Sequence, residues 1–352
     1  MIRTGGAARA VEFTAGGQLE VRITPDDVGK RVSVRAFTDT GTGDARFTDT
    51  VGVLTSWTGG VLRITRRSGE SVQVAEAALA AAKTVPAAPA RRRGPAASYP
   101  ELARVAARGW PPVESEPLGA WTLRAAAGFT RRANSVLPLG DPGRELPEAL
   151  AAVDRWYAAR GLPAYVQTAT GGAGTQERLA AELEALGWAR EVSAELRTGA
   201  LAPLADRAPG AAVRLAREPD AAWLSRYQRV GAVRPEVTAV LTGGPSVWFA
   251  TVDGEPGGPA RAIGRCVVDG RWAGFAAVEV DPAHRRQGLA SDVMAALAAR
   301  ALDEGASAAW LQVERENTAA RAMYERAGFT VHHHYHHHRA PGAGAADPGD
   351  RC

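Results

Sequence analysis

Short runs of alternating apolar and polar residues, separated by turn-forming clusters, open the chain. Residues 19–23, 31–37, 50–54, 61–65 and 71–74 each read as a half-buried strand, because successive side chains on a strand point to opposite faces. Thr58-Gly59-Gly60 and Arg67-Ser68-Gly69-Glu70 supply hairpin loops, since glycine reaches the positive φ that such turns require. Strands this short and this frequent predict a small all-β barrel over residues 1–78.

The period then lengthens. Residues 147–160 (PEALAAVDRWYAAR) carry apolar positions at helical spacing, with proline at the start and Gly161 past the end. A strand over 162–170, a helix over 174–186 and a strand over 189–197 follow. From Val213 a similar order recurs after a longer lead-in: a strand at 275–280 (FAAVEV), an Ala/Leu-rich helix over 291–301, a strand at 308–314 (AAWLQVE) and a helix opened by Asn317. Glu184-Ala185-Leu186-Gly187-Trp188 before the run 192–196 parallels Glu325-Arg326-Ala327-Gly328-Phe329 before the run 331–335. In each copy a helix stops on glycine, an aromatic follows and a strand begins, which predicts an internal repeat. The fold class expected is α/β (α+β) after the all-β opening.

Composition refines this picture. The 352 residues, 45% of them hydrophobic, suffice for two or three domains with real cores. A formal charge of +4 is small for that length, and lysine occurs only as Lys30 and Lys83. The arginines are scattered and not gathered on one periodic face, so no nucleic-acid partner is expected. Residues 79–98 are expected to form a linker, because the prolines of TVPAAPARRRGPAAS at 84–98 interrupt any helix, leaving Arg91–Arg93 as solvated charge. Residues 340–352 read as a disordered tail. Cys266 and Cys352 fit a reducing cytosol, and no run resembles a signal peptide or approaches a membrane span. A cytoplasmic protein with no membrane partner is therefore expected.

The candidate chemistry begins after the 275–280 strand, where Asp281-Pro282 leads into Ala283-His284-Arg285-Arg286-Gln287-Gly288-Leu289-Ala290 and then a helix. A strand–turn–helix with a small-residue, basic turn suits a phosphate, because backbone N–H groups converge where the helix dipole favours negative charge. Gly288 lets the backbone approach a ligand, and Ala290 leaves room beside it. The second run reads Val313-x-x-x-Asn317-x-x-Ala320-x-x-Met323-Tyr324-x-x-x-Gly328-Phe329. Asn317 suits the N-cap of its helix.

Together these runs resemble the GNAT acetyltransferase superfamily from about Val213 to Arg339. Arg285-x-x-Gly288-x-Ala290 is similar to its acetyl-CoA pyrophosphate loop and the second run to its closing motif. The resemblance implies acetyl-CoA as cosubstrate and no metal. It implies that the backbone of Val278, Glu279 and Val280 holds the pantetheine arm and that amides of Arg286, Gln287, Gly288, Leu289, Ala290 and Ser291 hold the pyrophosphate, with Arg285 beside them. Asn317 would contact the cofactor arm and Tyr324 would sit near the thioester sulfur. A segment at 27–35 (DVGKRVSVR) resembles the opening of SH3-like barrels. The whole arrangement is similar to an actinobacterial GNAT family often named for N-acetylglutamate synthase. Its expected parts are an SH3-like barrel (1–78), the linker, a degenerate GNAT-like half (99–206) and a catalytic GNAT domain (207–339).

An amine must lose a proton before it attacks, so Glu279 and Glu314, at strand ends, are candidate bases, although either could be a solvated carboxylate. A phenol at Tyr324 could protonate the departing thiolate, and a backbone N–H at Val280 could bind the oxyanion. The earlier half has Leu183 where Tyr324 stands and Gly140-Asp141-Pro142-Gly143-Arg144 in place of the loop, so one site per chain is expected. Arg131, Arg132 and Asn134 lie in a polar run, 129–135, that could touch a small-molecule amine, the two arginines matching the carboxylates of glutamate. The leading function is N-acetylation of glutamate or another amino acid. Alternatives are a protein lysine acetyltransferase that docks through its barrel, and a non-catalytic acetyl-CoA sensor. In the run HHHYHHH, His332, His334, His336 and His338 would share one strand face, but no Asp or Cys within it completes a ligand set.

Overall fold

A computed structural model describes residues 21–38, 46–66, 68–85, 95–207, 210–227 and 234–342. Expectations for residues 19–20, Arg67, Arg91–Arg93, Cys352 and the tail from 343 onward fall outside these ranges. The chain divides into two compact units, residues 1–90 with 176–182, and residues 91–175 with 183–352.

In the first unit, β1 (Arg31–Thr38), β2 (Arg46–Thr58), β3 (Val61–Arg66), β4 (Ser71–Ala75) and β5 (Leu79–Thr84) form an antiparallel sheet ordered β4-β3-β2-β1-β5. Gly59 and Gly60 both have positive φ, 59° and 74°, and close the two-residue β2–β3 loop expected of them. Val32, Val34, Leu54, Leu62, Ile64 and Val74 fill the core. β5 is Ala-rich and carries no strand signal of its own; pairing with β1, Val32 opposite Thr84, defines it.

The second unit contains α1 (Tyr99–Gly109), β6 (Glu114–Leu118), β7 (Trp121–Ala125), β8 (Leu137–Pro138), α2 (Leu146–Ala158), β9 (Tyr165–Thr170), α3 (Glu177–Ala185, which crosses the division) and β10 (Ala189–Ala200). It continues with α4 (Ala202–Ala205), β11 (Arg214–Ala216), α5 (Ala221–Arg226), α6 (Pro235–Thr242), β12 (Ser246–Val252), β13 (Ala262–Asp269) and β14 (Trp272–Val280). Last come α7 (Leu289–Asp303), β15 (Ala308–Glu314), α8 (Thr318–Arg326) and β16 (Thr330–Arg339). β6-β7-β8 form a small sheet, and the large one runs β11-β12-β13-β14-β15-β10-β16-β9.

That order interleaves the two repeat copies. β10 lies between β15 and β16, with Ala194 opposite both Glu314 and Tyr335, and β16 lies between β10 and β9. Each copy's last strand thus completes the other's sheet. The helix ends match in detail. Trp188 N–H donates to Leu183 O and Phe329 N–H to Tyr324 O, both at 2.9 Å, over glycines at φ 84° and 87°. These are Schellman caps, which need the left-handed residue that glycine supplies without strain.

The sheet separates two cores by alternation. On β15, Ala308 and Trp310 join Trp110, Trp223 and Trp272 on one face, while Ala309, Leu311 and Val313 join Val293, Leu297 and Phe329 on the other. Arg265 crosses the first core, almost fully buried. It donates to Gly109 O at 2.9 Å and Leu241 O at 2.6 Å, so one guanidinium serves the C-terminal carbonyls of α1 and α6. Burial pulls its pKa down to about 10, which leaves it charged at neutral pH.

The histidine run is the interior strand β16. A register shift at His332 takes that residue out of the alternation expected for His332, His334, His336 and His338; its Nε2 faces Ala97 O at 3.0 Å. His336 is held by Thr170 Oγ1 and Ser193 Oγ at 2.9 and 2.8 Å, on the two strands that flank it. Among the described residues no group of three His, Cys, Asp or Glu is placed to hold an ion.

Burial, the largest cause in each case, drives His333, His336 and His337 well below the ordinary imidazole pKa, so they are neutral when folded. The unfolded chain binds protons at these sites below about pH 6.5 and the folded chain does not. Stability is therefore full above that pH and declines below it. The urea midpoint should fall steadily from pH 7 to pH 5.5, and a His336→Gln/His337→Gln variant should show a flatter decline.

Candidate active site

The site begins with a fault in β14. Ile263 and Arg265 on β13 pair with Glu279 and Ala276, so one residue on β13 faces two on β14. Ala277 takes the strain at φ 51°, a β-bulge that bends the strand. On its other edge β14 runs parallel to β15, but pairing ends at Phe275–Leu311, just before the bulge. Beyond that point the strands part. The cleft between them is lined by Phe275–Glu279 on one side and Gln312, Val313 and Glu314 on the other, with Asn317 and Tyr324 of α8. An extended ligand could use the backbone groups that the parted strands leave unpaired.

Tyr324 is 9% exposed and its ring meets Phe329 edge-on at 5.9 Å. Asn317 caps α8, its Oδ1 accepting from Ala320 N–H at 3.1 Å. Val280 pairs with Ala262 at the strand end. The turn that follows is set by Asp281, whose carboxylate accepts from Ala283 N–H at 2.8 Å and pairs with Arg226. That N–H, and then the Arg226 charge, hold its pKa below the usual carboxylate range. Arg286 and Gly288 both have positive φ, 64° and 86°, and Gly288 is the N-cap of α7. Two left-handed residues thus flank Gln287 at the start of the helix. Arg285, Arg286 and Gln287 are exposed, while Leu289 is buried and Ala290 and Ser291 are half-buried in the first turn of α7. Arg207, which carried no signal in the sequence, also stands here. Its Nη2 is 3.0 Å from where a Cβ on Gly288 would lie, and it pairs with buried Asp292.

The three residues of the 129–135 run separate. Arg132 lines the cleft, its guanidinium over the Trp110 ring and its Nη2 donating to Tyr335 OH at 3.1 Å. Arg131 pairs with Glu191 at 3.1 Å and stacks on Tyr165. Asn134 spends its amide on the backbone: Oδ1 accepts from Ala126 and Gly128, and Nδ2 donates to Phe129 and Thr130. It is a strut for the loop that carries Arg132. Trp110, Tyr227 and Gln312 also line the cleft and had no motif to mark them.

A buried ion cluster ties α8 to the interleaved strand. Glu195 of β10 pairs with Arg197 at 2.7 Å and with Arg321 of α8 at 3.0 Å. Burial alone would raise the Glu195 pKa, but Arg197 and then Arg321 outweigh it and hold it below the ordinary value. Glu195→Gln would leave guanidinium charge buried without a counter-ion, at a cost of about 3 kcal/mol. Urea denaturation should register that loss, and thermal unfolding should show a correspondingly lower Tm.

Parallel strands parted at a bulge, and a left-handed glycine turn that opens the next helix, define a mixed α/β acyltransferase of the GNAT type. Residues 97–338 match the family described as "Probable histone acetyltransferase Rv0428c C-terminal", and the chain belongs to that family. It is 27% identical over 311 residues to "Probable histone acetyltransferase Rv0428c" of Mycobacterium tuberculosis, covering 87% of this chain and 93% of that protein. It is 26% identical over 246 residues to "Uncharacterized N-acetyltransferase YobR" of Bacillus subtilis, covering 66% and 96%. The solved "GCN5-related N-acetyltransferase from Kribbella flavida" shares the fold, with TM-score 0.52, 19% identity, and coverage of 69% of this chain and 95% of its own. No helix among the described residues is long and apolar enough to cross a membrane.

Proposed function

We propose that the chain transfers acetyl from acetyl-CoA to the primary amine of a small molecule that carries a carboxylate, with glutamate or another amino acid as leading acceptor. The observation that carries this reading is Arg132, a buried cation on the wall of the cleft where β14 and β15 part. Bound acetyl-CoA would supply an activated thioester carbonyl. The backbone of Val278–Val280 would hold its arm beside Asn317, and the Arg286–Ser291 amides, with Arg285 and Arg207 near, would hold the pyrophosphate. The αL turn at Gly288 and the unpaired edge of β14 fit these groups. Glu279 or Glu314 would take a proton from the acceptor ammonium, the neutral amine would attack the thioester carbonyl, and Tyr324 would protonate the sulfur as the C–S bond breaks, the second nitrogen proton then restoring the phenol. Arg132 binds the acceptor's carboxylate.

Thiol release from acetyl-CoA across a panel of amines tests the reading; no dependence on any amine would sink it. Tyr324→Phe should lower kcat about a hundredfold or more, the range for general acid loss, while the calorimetric Kd for acetyl-CoA stays the same. Arg132→Met should raise KM for L-glutamate about tenfold, the loss expected of a charge-assisted contact, and leave KM for cadaverine, which has no carboxylate, unchanged. A second reading follows from the name of the mycobacterial relative, a probable histone acetyltransferase similar along most of its length. Faster turnover of a histone-tail peptide than of any free amino acid would favour it.

A further inference from the structure

Two buried hydrogen-bond acceptors on the cleft wall meet no donor among the described residues: Gln312 Oε1 and Glu314 Oε1. They stand two residues apart on β15, on the face that carries Trp310, and both line the cleft. The opposite face of the strand, Leu311 and Val313, is spent on the hydrophobic core. A buried acceptor without a donor weakens a fold, and an apolar side chain of similar size would fill position 312 better. Among the described residues nothing donates to the Gln312 amide oxygen. The neighbouring polar group Asn317 is committed to its helix cap. Glu279 adds a third acceptor-bearing side chain from the strand across the cleft. An acceptor-rich wall of this kind matches a group that offers several N–H donors and positive charge, which is a primary ammonium.

We infer that Gln312 is a specificity-determining residue that binds the nitrogen of the acceptor through its Oε1, beside Glu314. Gln312 fixes the amine on the β15 side of the cleft, and Arg132 holds the carboxylate on another wall, so an acceptor with both groups is oriented at two points. The inference rests on the N-acetyltransferase reading of this cleft.

The test is steady-state kinetics on the full chain with acetyl-CoA and whichever of L-glutamate, cadaverine and a lysine-bearing histone-tail peptide the wild type acetylates. Gln312→Leu should raise KM for that amine about tenfold, the order expected for losing one hydrogen bond to a charged group. KM for acetyl-CoA should stay within about twofold, inside the scatter of such comparisons. The Tm of Gln312→Leu should be equal to or above that of the wild type, since an unsatisfied acceptor is removed. Gln312→Glu, which keeps an acceptor oxygen, should restore amine KM to within a few-fold. An unchanged amine KM in Gln312→Leu, or a parallel rise in KM for acetyl-CoA, overturns the assignment and leaves the acetyltransferase reading standing. A lower Tm with loss confined to kcat also overturns it, by making Gln312 a structural residue. A wild type that consumes acetyl-CoA with none of the three amines overturns the underlying reading first, and this inference with it.

Discussion

The interleaving of β10 and β16 is the constraint on which the second unit depends. A strand edge is a row of unpaired N–H and C=O groups. Here the edge of β15 is covered by β10, whose far edge is covered by β16, which is covered in turn by β9. Neither repeat copy closes its own sheet. The functional consequence is that the earlier copy, which has neither the glycine turn nor a phenol at position 183, still supports the site. Through Glu195 it grips Arg321 on the helix of Tyr324, and through the loop braced by Asn134 it sets Arg132 against Trp110. Strand exchange also explains the polarity of β16. His336 is buried between two strands that offer it a Thr and a Ser hydroxyl, and burial, which also acts on His333 and His337, keeps it neutral.

The cleft arises from the opposite situation, a place where pairing is withheld. The bulge at Ala277 and the last parallel pair at Phe275–Leu311 leave two strands of one sheet with bare inner edges. Around this gap the protein tolerates features that stability would remove: a non-glycine residue at positive φ and buried acceptors on Gln312 and Glu314. Strain and unsatisfied polarity occur elsewhere in the chain as well, but here they line an open cleft. Arg265 shows the contrast. More deeply buried than Gln312 or Glu314, it donates to helix-terminal carbonyls and serves the frame.

Much of this was legible in the chain because it is local. The β15 run 308–314 was bounded by its own pattern, Asn317 was readable as a cap, and Gly187 and Gly328 announced matching helix ends with Leu183 aligned to Tyr324. The turn at Gly288 was also marked locally, by a glycine between a strand and an Ala/Leu-rich helix. β5 was not legible, because Leu-Ala-Ala-Ala-Lys-Thr is no strand former until β1 stands beside it. Nor could the polar run 129–135 be sorted. Arg131, Arg132 and Asn134 are equally polar in sequence, yet one pairs with Glu191, one enters the cleft and one braces a loop.

The sequence by itself determined the elements with a clear period of their own, the matching helix–glycine–strand junctions and the family, since these rest on periodicity and short-range spacing that a linear reading preserves. Only the tertiary structure decided which copy's strand lies beside which, where β14 leaves β15, and which side chains face the cleft. Those outcomes depend on pairings between residues far apart in the chain, Ala194 with Glu314 and Glu195 with Arg321 among them. No local pattern encodes such a pairing, because either copy's strand offers the same alternation and the same backbone hydrogen bonds to any neighbour.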